Sequence, residues 1–222
     1  MKIRLDDEIN KLRKSLLEMG NAVEEAIGIA IKALKERDTL LAKQVIKNDV
    51  IINRLEIQID KSCLKIFALK QPIAFDLRFV ASSLKVNNDL ERMGDFASRI
   101  AEDVVELASE LDGQYTIPQL NNIYKMAEIA QLMVKLCMEA FMQKNVEIAQ
   151  RVIKQDDEVD RYYDAIIKES GPYVHEDPER FQLALSLINI GKCLERIGDH
   201  AKNICEDAIY TSEGEIVKHQ TP

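Results

Sequence analysis

The segment Leu90–Asp103, LERMGDFASRIAED, returns at Leu194–Asp207 as LERIGDHAKNICED, displaced by a constant 104 residues. Internal self-similarity of this kind constrains a chain more than any local propensity, because both copies must reach the same fold. Upstream, Met19, Ala33, Ala42 and Val45 align with Met126, Ala140, Ala149 and Val152 at an offset of 107. The change from 107 to 104 means that the second copy has lost three residues between its middle and last segments. The Pro-rich stretch Gly171–Pro178, GPYVHEDP, is where the loss is expected.

The repeated unit reads as helical. With 8 glycines and 5 prolines in 222 residues, the chain has few breakers and is rich in helix formers. Leu90, Met93, Ala97, Ile100, Val104 and Leu107 recur at three- and four-residue intervals, the pattern of a helix with one buried stripe. Helices are expected at about 5–36, 40–70, 73–110, 119–144, 146–170 and 178–212. Asp38 and Thr39 offer an N-cap to the second, and Gln71-Pro72 ends it. The fold class is therefore all-α: six long helices as two tandem, pseudo-symmetric three-helix bundles. The first bundle spans 1–111 and a linker 112–118, within the stretch LDGQYTIP. The second bundle spans 119–212, and a polar tail covers 213–222.

Several function classes are disfavoured. The N-terminus, MKIRLDDEIN, carries charges where a secretory h-region would be apolar. The uncharged, largely apolar run Phe181–Gly191 is shorter than a membrane span needs. A net charge of −8 without a basic block argues against nucleic acid. Cys63, Cys137, Cys193 and Cys205 show no metal or redox spacing and read as reduced core residues of a cytoplasmic protein. No Gly-rich phosphate loop, Ser–His–Asp set or Glu-x-x-His pair occurs, and His200 is matched by Phe96 in the first copy. The chain reads as a non-enzyme.

What the duplication does preserve is acidic. Glu91/Asp95 and Glu195/Asp199 are four apart, so each pair lies on one helix face. The middle helices carry Asp49/Asn53 and Asp156/Asp160. Asp49 with Asp95, and Asn53 with Glu91, are both centred on position 72, the first turn. Asp156 with Asp199, and Asp160 with Glu195, are both centred between 177 and 178. The pairs should thus stand level across each helical hairpin, whereas Glu56/Asp60 find no partner pair at the right height. Converging carboxylates need a counter-charge or some take up protons. An all-oxygen set suits a hard cation such as magnesium, calcium, manganese or iron. The competing reading is an ordinary solvated face, paired with Arg92, Arg99 or Lys85. Gly94 and Gly198, mid-helix at equivalent positions, point to a close approach of neighbouring helices, since each costs about 1 kcal/mol against alanine.

The two LERxGD segments, QPIAFDLR at 71–78, and the runs IKNDVIINRLE and IKQDDEVDRYY together resemble the PhoU family of phosphate uptake regulators over about 5–212. The resemblance implies two three-helix bundles with metal clusters at E/DxxxD motifs on the bundle surface. It implies Asp49, Glu91 and Asp95 as ligands in the first half, and Asp156, Asp160, Glu195 and Asp199 in the second, for metals such as iron, zinc, manganese, magnesium or calcium. Asn53 departs from the acidic pattern, but its amide oxygen can still ligate, so it stays in the expected first set. It further implies a cytoplasmic homodimer, a negative regulator that links the phosphate ABC transporter ATPase to a sensor histidine kinase and meets the membrane only through these partners. QPIAFDLR has no full counterpart in the second half. Asp76 and Arg78 are therefore expected to serve a partner, or simply to start a helix, with Asp76 at the positive end of its dipole. A metal-buffering bundle without a role in phosphate signalling is the alternative, and a carboxylate-bridged metalloenzyme is disfavoured by the lack of histidine. Because Asp160 adds one charge over Asn53, the second half is expected to hold its metal more tightly.

Overall fold

A computed structural model describes residues 2–107 and 117–215. Six helices run in chain order: α1 (Lys2–Glu36), α2 (Thr39–Lys70), α3 (Ala74–Leu107), α4 (Gln119–Gln143), α5 (Val146–Glu176) and α6 (Phe181–Glu213), with a short 3-10 turn at Pro178–Arg180 before α6. No strand occurs among the described residues. The first three helices pack on one another, as do the last three, and the halves join where α3 lies on α6 and α1 on α4. Residues 108–111 of the expected first bundle, 112–116 of the expected linker and 216–222 of the expected tail fall outside the described residues.

The duplication governs even the turns. Arg37 and Lys144, 107 apart, both adopt left-handed backbone, with φ of 56° and 60°. Each is followed by an N-cap at the equivalent position. Asp38 accepts from the amides of Leu40 and Leu41 at 2.8 and 3.1 Å, and Asn145 accepts from Ile148 at 3.1 Å. These side chains satisfy amides that the first turn of a helix leaves unpaired. Replacing Asp38 by alanine should cost about 1 kcal/mol, read as a lower urea midpoint. An unchanged midpoint would mean that water serves those amides equally well.

One boundary differs from expectation. The fifth helix was expected to stop at 170, ahead of Gly171-Pro172, but α5 continues through Pro172 to Glu176. Proline there removes one backbone hydrogen bond and crowds the preceding turn. Tyr173 offsets this: it is 4% exposed and Arg180 lies 4.8 Å over its ring. The three missing residues of the second copy therefore come out of the turn itself. Gln71–Ile73 separates α2 from α3, while Asp177 alone separates α5 from the 3-10 turn. The second hairpin is short and tight, not extended.

Along the seam, α3 and α6 run antiparallel. Arg78 donates to the Thr211 carbonyl at 3.3 Å, Lys85 pairs with buried Asp207 at 3.0 Å, and Asp89 meets His200 at 2.7 Å. Phe96 and His200, equivalent residues of the two copies, meet with tilted rings whose centroids are 5.8 Å apart. Equivalent residues can touch only near a twofold axis, so the pseudo-symmetry axis passes close to this pair.

Candidate metal centre

Each acidic set is carried by the outer faces of one hairpin, α2–α3 in the first half and α5–α6 in the second. The inner faces are sealed by fully buried residues such as Leu90, Met93 and Ala97, and Leu194, Ile197 and Ala201. This packing brings Asp49 within electrostatic reach of Glu91, and Asp160 within reach of Glu195 and Asp199. A Cβ added to Gly94 would stand 2.8 Å from Ile52 Cδ1 and 3.7 Å from Asp49 Oδ1. At Gly198 it would stand 3.3 Å from Asp156 Oδ1 and 3.5 Å from Val159. Both glycines let the middle helix come close, and both bring its first aspartate beside the last helix.

In the first half, Asp49 Oδ2 accepts from the Asn53 amide at 2.8 Å and Oδ1 from the Ser98 hydroxyl at 3.3 Å. Glu91 and Asp95 share Arg92, at 3.6 and 3.5 Å. Burial raises the Glu91 carboxyl above the ordinary range, and the neighbouring charges of Asp95, Glu56 and Asp49 add to the shift. Glu56 thus faces Glu91, although counting heights from the sequence had set it aside. Its carboxylate sits about one turn nearer the hairpin tip than the 49/53 pair, where Asn87 also donates to the Glu56 carbonyl and to Asp60 at 3.1 and 2.9 Å.

The second half gathers its four carboxylates in the same manner but surrounds them with more positive charge. Burial raises Asp160, and Asp156, Glu195 and Asp199 push it further in the same direction. Lys192 pairs with Glu195 at 3.0 Å, and Arg196 with Asp199 at 2.8 Å. Asp156 is 3% exposed, and the Lys202 ammonium lies 2.7 Å from its Oδ2. Lys192 and Lys202 stand where the first copy has Asn88 and Ser98. Sequence similarity between the copies does not single out these two lysines, because they stand at positions where the copies differ. The differences between the copies held the signal.

As oxygen donors the carboxylates suit a hard cation in kind. Among the described residues, however, no three acidic, histidine or cysteine side chains already stand within reach of a single ion. Arg92, Arg196 and Lys202 already pair with these carboxylates, and a metal would have to displace them to gather the oxygens.

The expected partner-binding residues have a different setting. Arg78 is tied to Thr211 near the end of α6 and lies against Gly214. Asp76 is in the first turn of α3 and interacts electrostatically with Arg13. Phe75 and Phe79 stack on each other, Phe79 stacks on Phe141 of α4, and Lys144 lies 3.6 Å over Phe75. QPIAFDLR thus contributes to the seam between halves, which explains why a single copy of it suffices. All four cysteines are free and buried, and burial lifts the thiols of Cys63 and Cys193 to about 12.

A family model described as the PhoU domain matches residues 16–104 and again 123–208. The chain belongs to the PhoU family. The two matches fall on the two bundles, so the family's domain is the repeat itself. Among PhoU relatives, a phosphate-specific transport system accessory protein PhoU homolog of Aquifex aeolicus is 41% identical, covering 98% of this chain and 97% of that one. The Escherichia coli accessory protein PhoU is 32% identical over 96% of this chain and 86% of its own length. The crystal structure of PhoU from Pseudomonas aeruginosa superposes with a TM-score of 0.90 at 37% identity, covering 95% and 99% of the two chains. That of the phosphate transport system regulatory protein PhoU from Streptococcus pneumoniae gives 0.86 at 32%. The PhoU relatives are phosphate transport accessory proteins, and no helix among the described residues is long and apolar enough to cross a membrane.

Proposed function

We propose that the protein is a non-enzymatic, cytoplasmic negative regulator of phosphate uptake. It binds metal at its acidic clusters and connects the phosphate ABC transporter ATPase to a phosphate sensor histidine kinase, as a homodimer. The observation that carries this reading is likeness along the whole chain: both halves match accessory proteins of phosphate transport, over 97% of the length of the Aquifex aeolicus relative. The acidic pairs support the metal component, because the second half keeps a buried aspartate with one oxygen unpartnered inside the cluster. The test is to delete the gene and follow phosphate import and alkaline phosphatase in phosphate-replete cells. Both should rise, and unchanged values of both would overturn the regulatory role.

The metal component has its own test. Glu195→Gln combined with Asp199→Asn should lower bound metal at saturation, measured by elemental analysis. Helix content should survive, since Leu194, Ile197, Ala201 and Ile204 are all fully buried and untouched. Undiminished metal in the double variant would remove the second cluster from the reading.

A further inference from the structure

The two copies treat one equivalent aspartate in opposite ways. Asp49 is served by neutral donors, the Asn53 amide and the Ser98 hydroxyl. Among the described residues, no lysine or arginine is recorded in an ion pair with it. Asp156 meets an ammonium instead, 2.7 Å from Oδ2, while its Oδ1 has no hydrogen-bond partner and points at Gly198. Residues 98 and 202 are the same position of the repeat. The substitution of Lys for Ser thus places a full positive charge against the most buried carboxylate of the second cluster.

The surrounding charges lean the same way. The first cluster sets Asp49, Glu56, Glu91 and Asp95 against Arg92. The second sets Asp156, Asp160, Glu195 and Asp199 against Lys192, Arg196 and Lys202. Glu56 has Tyr163 as its counterpart in the second copy, where Asp157 instead adds a fifth carboxylate beside Asp156. Among the described residues, one cation pairs with the first set and three pair with the second, so the second set keeps less net negative charge. The expectation that Asp160 makes the second half the stronger site counted acids without these bases.

We infer that Lys202 is a resident cation occupying the place of a metal ion in the second acidic cluster. The first half is then the higher-affinity metal site, and the second admits a divalent cation only by displacing the ammonium. This rests on the reading of the acidic clusters as metal sites. Displacement is physically open. The Lys202 side chain is 37% exposed, so its ammonium can swing into water, and the vacated Oδ2 joins the unpartnered Oδ1 to offer the metal two oxygens. The competition is uneven, because a tethered ammonium acts at a high effective concentration. Hard-cation affinity also falls as net ligand charge falls.

The test is a manganese(II) titration of the full-length chain, with free ion followed by electron paramagnetic resonance. The wild type, Lys202→Ser and Ser98→Lys are compared. Wild type should show one class of tight sites and one weak class. Lys202→Ser should tighten the weak class at least tenfold, and Ser98→Lys should abolish the tight class. If the serine variant melts too low to titrate, Lys202→Gln keeps a donor for Asp156 and should give the same tightening. A tight class that survives alongside an unchanged weak class in both Lys202 variants would overturn the resident cation and leave the metal reading standing. No manganese bound by any variant would overturn both.

Discussion

Phe79→Ala is expected to destabilise the protein by about 3–5 kcal/mol, the usual cost of emptying a large aromatic from a packed core. Phe79 is fully buried and belongs to neither bundle alone. Its ring lies 5.3 Å from Phe141 of the second half and 6.3 Å from Phe75, and Arg13 sits 4.5 Å over it. The same Arg13 donates to the Met142 carbonyl at 3.1 Å. Removing the ring therefore leaves a cavity, a guanidinium without its aromatic face and the loss of the Phe79–Phe141 contact between the halves. Urea unfolding should show a lower midpoint, and heating a melting point lower by about 10 °C for a chain this size. Phe75→Ala, at a half-buried ring, should cost less. A loss below about 1 kcal/mol for Phe79 would show that Lys85–Asp207 and Arg78–Thr211 hold the seam without it.

A second large effect depends on pH. Asp103 and Asp207 are equivalent, but Asp207 pairs with Lys85, whereas the counterpart of Lys85 is Asn189. Burial lifts the Asp103 carboxyl from 3.8 to about 7, and Glu106 and Glu102 push it the same way. A carboxyl raised in the folded state holds its proton there longer than in the unfolded chain. Stability from this group is thus full below about pH 4, declines as pH rises to about 7, and stays low above. Asp103→Asn is neutral throughout and escapes the decline. It should match wild type at pH 4 and exceed it at pH 8 by about 1–2 kcal/mol. That figure discounts the full shift because the side chain is partly solvated. Asn189→Lys should also remove much of the pH dependence by giving Asp103 a cation. A difference between Asp103→Asn and wild type that is flat from pH 4 to 8 would refute the assignment.

Much of this was legible in the repeat. The offset of 104 located the last helices, and the low glycine and proline content left helices as the outcome. Asp38 announced its own cap. The centring of the acidic pairs on 72 and on 177.5 proved sound, since turns stand at both places. Pro172 misled, because the local rule against proline was outweighed by the burial of Tyr173, a tertiary contact that no window of sequence contains. The environment of the acidic sets was only half visible. Shared residues revealed where carboxylates stand, but Lys192, Lys202 and Glu56 lie at positions where the copies differ. The setting of Arg78 and Asp76 was not visible in sequence, because Arg78 meets the Thr211 carbonyl of the other half and Asp76 faces Arg13 of α1, both distant along the chain.

The antiparallel seam has one more consequence. With the axis near Phe96 and His200, the turn at Gln71–Ile73 and the turn at Asp177 must point toward opposite ends of the molecule. Two identical copies would make those ends interchangeable, and rotating the particle by half a turn would change nothing. Here one end shows Ile73, 77% exposed, beside Leu77, and the other shows Phe181, 59% exposed, at the position equivalent to Leu77. The rod has acquired a direction, a head and a tail, so whatever grips one end finds different chemistry at the other.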